Sequence, residues 1–291
     1  MSIEAVLNQH RMQVETALDR LMPSKETVPE VVHAAMRYSL FAGGKRLRPV
    51  LAALAFDAAG GTGTGIDAIA CALEMVHTYS LIHDDLPVMD DDDLRRGKPT
   101  CHKVFGEAIA VLAGDGLLTR AFQVLSEEIE DAEVSCRVIM ELASAAGTEG
   151  MVGGQVLDLA SEGAPPDLEA AMVVGKMKTA ALIRASLVMG AVAGGGSPYL
   201  LERLGIYGEK VGIAFQVVDD ILDRQSTAEE LGKTPGKDLK SIKMTFPSVL
   251  GMAGARELAS KLSTEAKLAL TECKGCELLR DLADYFLLRR A

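Results

Sequence analysis

Six aspartates lie within ten residues of this chain, between Asp84 and Asp93. Carboxylates packed this closely repel one another unless cations lie among them. The two arginines that follow, Arg95 and Arg96, are too few to neutralise six negative charges. Divalent cations with oxygen ligands would do so, and Mg²⁺ typically arrives with the phosphates of a substrate. The segment suggests a divalent-metal site for a phosphorylated compound, although an isolated acidic run is more often a solvated loop.

A second carboxylate cluster at positions 219–223 favours the metal interpretation. Asp219 and Asp223 are four residues apart, so on a helix they share one face and can share a cation. Asp84 and Asp90 are six residues apart, which leaves them roughly 120° apart on an ideal helix. Pro87 lies between them and disfavours a regular helix, so a bulge could return Asp90 to the face of Asp84. The carboxylates at 91–93 are expected to be solvated or paired with the arginines.

Basic residues could hold the anionic end of such a substrate. Lys45 and Arg48 follow Gly43-Gly44, whose exposed backbone N–H groups could help to bind an anion. Arg95 and Arg96 carry planar guanidinium groups that match phosphate oxygens. Further lysines precede or follow the second cluster, namely Lys178, Lys233, Lys237 and Lys243. Each alone is more often a surface charge, but together with two acidic clusters they predict a phosphorylated substrate with a hydrocarbon body.

The elements that must position these groups are predicted to be helices. The 291 residues are 48% hydrophobic, contain no Trp, and are rich in Ala, Leu, Met, Glu and Val, which favours helices over sheets. No sustained period-2 run indicates a strand. The net charge of −11 argues against a nucleic-acid-binding surface, which needs a basic footprint. We therefore expect an all-α protein with one domain over residues 1–291.

Apolar periodicity and the positions of glycine and proline place about ten helices. The predicted ranges are 3–21, 31–41, 49–59, 66–84, 104–129, 133–149, 168–193, 199–224, 246–270 and 277–289. Glycines at 150–154 are expected to interrupt the chain before Gln155, and the polar stretch 226–245 is expected to be a loop.

The cysteines and the apolar stretches indicate the compartment. Five cysteines at scattered spacing give no disulfide framework, which fits a reducing cytosol. Cys273 and Cys276 have C-x-x-C spacing, but no second pair accompanies them. The N-terminus lacks a signal-peptide pattern. The apolar stretch 179–196 carries Arg184 and ends in three glycines, which predicts a buried helix rather than a membrane span. We therefore expect a cytoplasmic protein.

An ordered set of motifs resembles the short-chain trans-isoprenyl diphosphate synthases, and most of all the bacterial farnesyl diphosphate synthases. The matching segments run in family order over about 200 residues and lie at 43–49, 79–97, 114–115, 153–158, 178–179, 215–223, 231–233 and 243–247. Any one motif could arise by chance, whereas the ordered set is specific. Ala180 departs from the pattern, because close relatives usually have Gly there.

The resemblance implies a fold and a chemistry. The family fold, the isoprenoid synthase fold, is a single-domain bundle of antiparallel helices around a deep central cavity, usually as a homodimer. Its two aspartate motifs face each other across the cavity and hold Mg²⁺, with three ions when substrate is bound and Mn²⁺ as an alternative. The implied substrates are isopentenyl, dimethylallyl and geranyl diphosphates.

The resemblance also implies roles for individual residues. Asp84, Asp90 and Asp219 should bind Mg²⁺ on the allylic diphosphate, with Asp85 and Asp223 assisting. The residues that should address the allylic substrate are Arg95, Lys178, Thr179, Gln216, Lys233 and Lys243. Those that should bind isopentenyl diphosphate are Lys45, Arg48, His77 and Arg96. The implied catalytic set is Asp84, Asp85, Asp90, Arg95, Lys178, Asp219 and Lys233.

Product length in this family often depends on the fifth residue before the first aspartate motif. Here that residue is Tyr79, with Ser80 beside it, and an aromatic ring should stop the growing chain near C15. Helix geometry alone leaves Tyr79 roughly 140° from Asp84, so this role rests on the resemblance, and Tyr79 could be an ordinary core residue.

Three other activities stay open: a geranylgeranyl diphosphate synthase with a C20 product, a terpene cyclase, and a noncatalytic prenyl synthase subunit. Two intact aspartate clusters disfavour the noncatalytic subunit. The form of the second cluster, together with Lys45 and Arg48, disfavours the cyclase.

Overall fold

The structure, a computed structural model, describes residues 3–63, 65–225 and 243–288. The residues that the structure describes are 76% helical with almost no strand, which confirms the all-α prediction. Most of the predicted loop 226–245 lies outside the described residues. Several predicted ranges agree with the observed helices to within a few residues, and the differences have local causes.

The described helices are α1 (Ile3–Leu21), α2 (Glu30–Leu40), α3 (Leu47–Ala58), α4 (Gly65–Asp84), α5 (Cys101–Phe105), α6 (Glu107–Glu128), α7 (Ala132–Ala146), α8 (Met151–Ala160), α9 (Leu168–Val174), α10 (Ala181–Ala193), α11 (Pro198–Gln225), α12 (Phe246–Ala269) and α13 (Glu277–Leu288). A π-helical turn, Gly175–Ala180, joins α9 to α10.

The described residues form two compact units. The first unit contains residues 3–50 and 65–139, and the second contains residues 51–63, 140–225 and 243–288. The single domain over residues 1–291 stays a prediction.

Helix α4 is the core of the first unit. Its apolar residues surround the helix instead of forming one stripe, which is typical of a buried helix, and Ile69, Leu73 and Val76 are fully buried. Small residues let α6 approach closely. A Cβ atom added at Gly114 of α6 would lie 2.2 Å from Nε2 of His83 on α4. This packing fixes the end of α4, where the first aspartate cluster begins.

A short hairpin follows the first cluster. Strands β1 (Leu94–Arg95) and β2 (Lys98–Pro99) pair antiparallel. The turn residues Arg96 and Gly97 both have positive φ, at 54° and 74°, as a two-residue type I′ turn requires. The prediction of no strand was wrong here, because two residues are too few for an alternating pattern. Gly106, with φ of 84°, also divides the predicted helix 104–129 into α5 and α6.

Helix α11 organises the second unit. Its buried residues Ile213, Val217 and Ile221 form a core with Phe246 and Leu262 of α12. This packing places the second aspartate cluster near the carboxyl end of α11, on an element supported along its length.

Two departures from the predicted helices occur in the second unit where backbones approach closely. The interruption expected at 150–154 lies earlier, at 147–150, because α7 ends at Ala146 and α8 begins at Met151 and contains Gly153 and Gly154. A Cβ at Gly154 would lie 2.2 Å from the backbone nitrogen of Lys178, so Gly154 permits close packing instead of breaking the helix. The predicted helix 168–193 is continuous but contains the π-helical turn.

Two described helices, α4 and α6, are long and apolar enough to cross a membrane by length and composition alone. The apolar window of α4 is 67% buried inside the structure, and that of α6 is 39% buried. Core helices of soluble proteins pass the same test, so this finding is weak evidence for a membrane span.

Candidate active site

The chain folds back on itself after α4 and returns Asp90 to the end of the helix. The backbone N–H of Asp90 donates to the carbonyl oxygen of Asp84 at 2.8 Å, and that of Asp92 donates to the carbonyl of Asp85 at 3.1 Å. The intervening residues, which include Pro87, form the bulge that the sequence suggested. The backbones of the two predicted metal ligands, Asp84 and Asp90, are therefore adjacent.

Arg95 lies between two buried carboxylates of the same cluster. Its Nε donates to Oδ1 of Asp85 at 3.0 Å, and its Nη2 donates to Oδ1 of Asp85 and to Oδ2 of Asp92, the latter at 3.2 Å. Asp85 is 3% exposed and Asp92 is 5% exposed. Burial raises the pKa of Asp85 to about 6, although Arg95 opposes that shift.

Solvation of the whole flank 91–93 was therefore the wrong expectation for Asp92, and the alternative of an arginine partner is confirmed there. Asp93 is exposed and pairs with Lys103 at 2.7 Å. Arg95 is predicted to address the allylic diphosphate, but in this structure its half-buried guanidinium binds its own cluster, because a guanidinium removed from water needs acceptors.

Arg96 joins the hairpin to the loop at Gly43-Gly44. Its guanidinium donates to the carbonyl oxygen of Gly43. A Cβ at Gly44 would lie 2.7 Å from Cζ of Arg96, so a side chain there would displace the guanidinium, and the φ of 133° at Gly44 itself favours glycine. Lys45, on the same loop, is exposed.

His77 lies among the cations of the first unit. Burial, followed by the positive charges of Arg48 and Arg96, holds the pKa of its imidazole well below the usual 6.5. The first unit thus brings together three of the four residues predicted to bind isopentenyl diphosphate, and the fourth, Lys45, lies on the loop that Arg96 contacts.

A buried ion pair that the sequence analysis missed anchors this loop. Nη1 of Arg46 donates to Glu74 of α4 at 2.6 Å, its Nε donates to Glu15 of α1 at 2.8 Å, and its Nη2 donates to the Leu40 carbonyl at 2.6 Å. Burial alone would lower the pKa of Arg46, but the two glutamates raise it. The available signal was Glu74, a charged residue within an apolar helix.

The second aspartate cluster lies on the last turns of α11. Asp219 and Asp223 are four residues apart in a continuous helix and so share one face. Asp219 is half-buried and Asp223 is buried. The middle residue, Asp220, accepts from Nε2 of Gln216 at 2.8 Å and from the backbone N–H of Phe246 at 2.9 Å. Asp220 therefore ties α11 to the start of α12, a role the sequence analysis did not predict.

The predicted allylic residues of the second unit lie in two hydrogen-bonded pairs. Thr179 Oγ1 donates to Oε1 of Gln216 at 2.6 Å, so these two residues lie together. Lys178 Nζ donates to Oδ2 of Asp158 at 2.6 Å. Lys178 and Thr179 belong to the π-helical turn, a form often found at functional sites. Lys243 is half-buried shortly before α12, and Lys233 lies outside the described residues.

Tyr79, the predicted chain-length residue, is 6% exposed in α4. Its ring meets the ring of His83 edge to face, with centroids 5.7 Å apart. Burial, and then the charge of Asp84, raises the pKa of the Tyr79 hydroxyl to about 12. Ser80 Oγ donates to the His77 carbonyl oxygen at 2.8 Å, so its hydroxyl is satisfied within the helix.

The predicted metal ligands in both units are carboxylates, namely Asp84, Asp90, Asp219 and Asp223. An all-oxygen donor set is what Mg²⁺ prefers. The adjacent backbones of Asp84 and Asp90, and the shared helix face of Asp219 and Asp223, agree with a fit to that ion within each unit.

Comparisons with known proteins show a family match over most of the chain. The polyprenyl synthetase family model matches residues 29–274. The chain is 52% identical over 261 residues to the heterodimeric geranylgeranyl pyrophosphate synthase large subunit 1, chloroplastic, of Arabidopsis thaliana, covering 87% of this chain and 70% of that protein. It is similar to an FPP/GFPP synthase of Zymomonas mobilis, at 36% identity and a TM-score of 0.87 over 98% of both chains. A geranyltransferase of Helicobacter pylori, complexed with magnesium and isoprenyl diphosphate, matches at 35% identity and a TM-score of 0.85 over 99% of this chain and 97% of that one.

Proposed function

Because the chain belongs to the polyprenyl synthetase family, we propose that this prenyltransferase makes farnesyl diphosphate. It condenses isopentenyl diphosphate with dimethylallyl diphosphate and then with geranyl diphosphate. The observation that carries the C15 assignment is the buried ring of Tyr79, five residues before Asp84.

The metal centre uses the two aspartate clusters. Asp84, Asp90 and Asp219 bind Mg²⁺ ions of the allylic diphosphate, and Asp85 and Asp223 assist. The oxygen-only donor set supports this assignment, as does the presence of magnesium and isoprenyl diphosphate in the Helicobacter pylori relative. When bound, the ions supply positive charge that stabilises the diphosphate as it departs.

The chain's own residues bind, orient and shield the two substrates. The allylic diphosphate is held by Arg95, Lys178, Thr179, Gln216, Lys233 and Lys243. Isopentenyl diphosphate is held by Lys45, Arg48 and Arg96 with the neutral His77. The low pKa of His77 supports a neutral donor beside the arginines.

The reaction then needs no protein nucleophile. The allylic C1–O bond breaks and the diphosphate leaves with the electron pair. The π-electrons of isopentenyl diphosphate form the new bond to C1, and a proton then passes from the adjacent carbon to the released diphosphate. The protein acts by positioning and by electrostatic stabilisation in a site that excludes water.

Tyr79 sets the product length by occupying space beneath the allylic site. Its ring is buried and rests against His83. The His83 ring nitrogen lies 3.0 Å from the carbonyl oxygen of Val111 on α6. A ring supported in this way resists displacement by a growing chain, which supports a C15 limit.

A second candidate product is C20 geranylgeranyl diphosphate. The Arabidopsis thaliana relative that is 52% identical to this chain is named a geranylgeranyl pyrophosphate synthase subunit. Incubation of the purified protein with isopentenyl and dimethylallyl diphosphates and Mg²⁺, followed by chromatography of the products, distinguishes the two. A dominant C15 product supports our proposal, whereas a dominant C20 product overturns it.

Substitution of Tyr79 tests the proposed origin of that limit. Tyr79→Ala should shift the main product from C15 to C20 or longer, because it removes the ring that blocks elongation. Tyr199→Ala, which truncates a half-exposed tyrosine of α11, should leave the product unchanged. Unaltered C15 output from Tyr79→Ala would show that the ring is an ordinary core residue.

We also propose a cytoplasmic homodimer. Exposed apolar side chains on α5 and α6, namely Val104, Val111 and Leu112, support association through these helices. All five cysteines are free, in agreement with a reducing compartment.

A further inference from the structure

The turn after the first aspartate cluster and the start of α5 bring together a second set of metal-ligand atoms. One carboxylate oxygen each of Asp91 and Asp93 and one ring nitrogen of His102 lie within 4.8 Å of one another. The two aspartates are exposed, whereas His102 is only 6% exposed. Exposed acidic groups are common without a metal. Evidence for a metal site therefore depends on whether a ring nitrogen of His102 has a lone pair available.

Hydrogen bonds determine which nitrogen of the neutral His102 ring carries the proton. Thr100 Oγ1 donates its single hydrogen to the carbonyl oxygen of Asp92 at 2.8 Å. The same oxygen lies 3.1 Å from Nδ1 of His102, and there it can only accept. Nδ1 therefore carries the proton, and Nε2 keeps its lone pair.

Nε2 is a buried acceptor that has no hydrogen-bond partner among the described residues. A buried polar atom left in this state destabilises a fold, and such atoms usually have an explanation. A metal ion at Nε2 would explain it, because an ion takes the lone pair of an imidazole and the charge of nearby carboxylates together.

We propose that Asp91, Asp93 and His102 bind one first-row transition-metal ion, for which Zn²⁺ is the best match. Imidazole nitrogen suits Zn²⁺, whereas Mg²⁺ prefers oxygen ligands. The Nδ1–H bond to Thr100 is the kind of outer contact that orients a metal-bound histidine. Three protein ligands leave the fourth tetrahedral position to water.

The ion would connect the two ends of the β1–β2 hairpin. Asp91 and Asp93 precede the hairpin, and His102 follows it. Lys103 Nζ lies 2.7 Å from Oδ1 of Asp93, so the ion binds the other carboxylate oxygen or displaces the ammonium. Bound Zn²⁺ stabilises the segment that carries Arg95 and Arg96.

Zinc stoichiometry tests the site directly. Chelator-treated full-length protein is dialysed against Zn²⁺ in millimolar Mg²⁺, and bound zinc is counted for wild type, His102→Gln and His33→Gln. His33 is the matched control, because its ring also has a buried nitrogen without a partner and it belongs to no described metal-ligand group. We expect wild type and His33→Gln to bind one more Zn²⁺ per chain than His102→Gln.

A second pair of variants distinguishes this zinc site from the proposed Mg²⁺ site that contains Asp84. Asp84→Asn and the double variant Asp84→Asn/His102→Gln should still differ by one Zn²⁺ per chain. If Asp84→Asn alone abolishes the His102-dependent zinc, the ion belongs to the Asp84 cluster and the proposal is overturned.

The absorption spectrum of bound Co²⁺ and the removal of the hydrogen bond between Thr100 and Nδ1 of His102 give two independent tests. Co²⁺ should produce a visible absorption band in wild type that His102→Gln lacks. Thr100→Val should weaken Zn²⁺ binding about 10–100-fold, measured by competition with a chelating dye, since it removes the group that orients the imidazole. Identical Co²⁺ spectra in wild type and His102→Gln would overturn the proposal.

If His102→Gln fails to fold, variants of the two exposed aspartates test the site instead. Asp91→Asn and Asp93→Asn change surface side chains, and each should weaken Zn²⁺ binding at least about tenfold. Unchanged affinity in both variants would contradict the site.

Discussion

Three arginines of the first unit each hold a different part of the candidate site. Arg46 binds Glu74 and Glu15, Arg95 binds two aspartates, and Arg96 donates to a glycine carbonyl. Arg46 is buried, and Arg95 and Arg96 are half-buried. A guanidinium removed from water is costly unless acceptors surround it, so these contacts fix the loops that carry them. Residue type alone suggested phosphate binding for Arg95 and Arg96, but it did not reveal their partners within the chain.

Removal of the buried partner of Arg46 should destabilise the protein strongly. Glu74→Gln should lower the free energy of unfolding by about 3 kcal/mol, because it leaves a buried guanidinium opposite a neutral group. Urea denaturation measures the loss. Glu15→Gln, at the partly exposed partner, should cost less than about 1 kcal/mol. Equal losses in the two variants would contradict the dominant role of the Glu74 pair.

His77 should make stability depend on pH. The pKa of its imidazole is well below 6.5 in the folded chain and about 6.5 in the unfolded chain. As the pH falls from 7 to 5, the unfolded state takes up a proton that the folded state rejects. Stability should therefore fall, by at most about 1.4 kcal/mol per pH unit from this group.

His77→Asn isolates that contribution. The difference in unfolding free energy between wild type and His77→Asn should be constant above pH 7 and should shift against wild type below about pH 6.5. Denaturation curves between pH 5 and pH 8 supply the comparison. A difference that does not change with pH would show that His77 titrates alike in the folded and unfolded states.

At the scale of elements, the second unit depends on a close approach between α11 and the π-helical turn. A Cβ added at Gly212 of α11 would lie 2.5 Å from Cα and Cβ of Ala180. The methyl of Ala180, which departs from the family pattern, is itself buried. Gly212 thus lets α11 approach the turn that carries Lys178 and Thr179.

Two glycines of α11 provide a matched test of this packing. Gly212→Ala should destabilise the protein by about 1–3 kcal/mol, because the neighbouring backbone must move. Gly205→Ala meets its nearest atom only at 3.5 Å, so it should be neutral or stabilise the helix by up to about 1 kcal/mol. Thermal unfolding compares them, and similar effects at both positions would contradict the close contact.

At the scale of the whole molecule, the two aspartate clusters belong to different units, and kinetics can show whether they act on one diphosphate. Asp84→Asn and Asp219→Asn should each lower kcat by about 100-fold or more, because each weakens stabilisation of the leaving group. The decrease in kcat of the double variant should be far smaller than the product of the two single decreases, because the effects of residues that act as a unit are not additive. Fully multiplicative losses in steady-state assays would indicate independent roles.

The amino-acid sequence by itself determined the all-α class, most helix positions and the clusters of chemical groups. Periodicity and composition carry that information locally, as in α1 and α11. The spacing of Asp219 and Asp223 implied a shared face, because helix geometry relates residues four apart. The proline between Asp84 and Asp90 indicated the bulge that returns the chain.

Only the tertiary structure decided which groups are buried and which partners they take. Asp92, for which both solvent and an arginine partner were open, is enclosed with Arg95. Asp220 accepts from the backbone N–H of Phe246 at the start of α12, and Gly153 and Gly154 permit a close backbone approach where a break was expected. The lone pair on Nε2 of His102 could be assigned only because the structure shows that Thr100 donates its hydrogen to the carbonyl oxygen of Asp92. These outcomes depend on contacts between residues distant in the chain or on the path of a loop, and local propensity and spacing do not encode them.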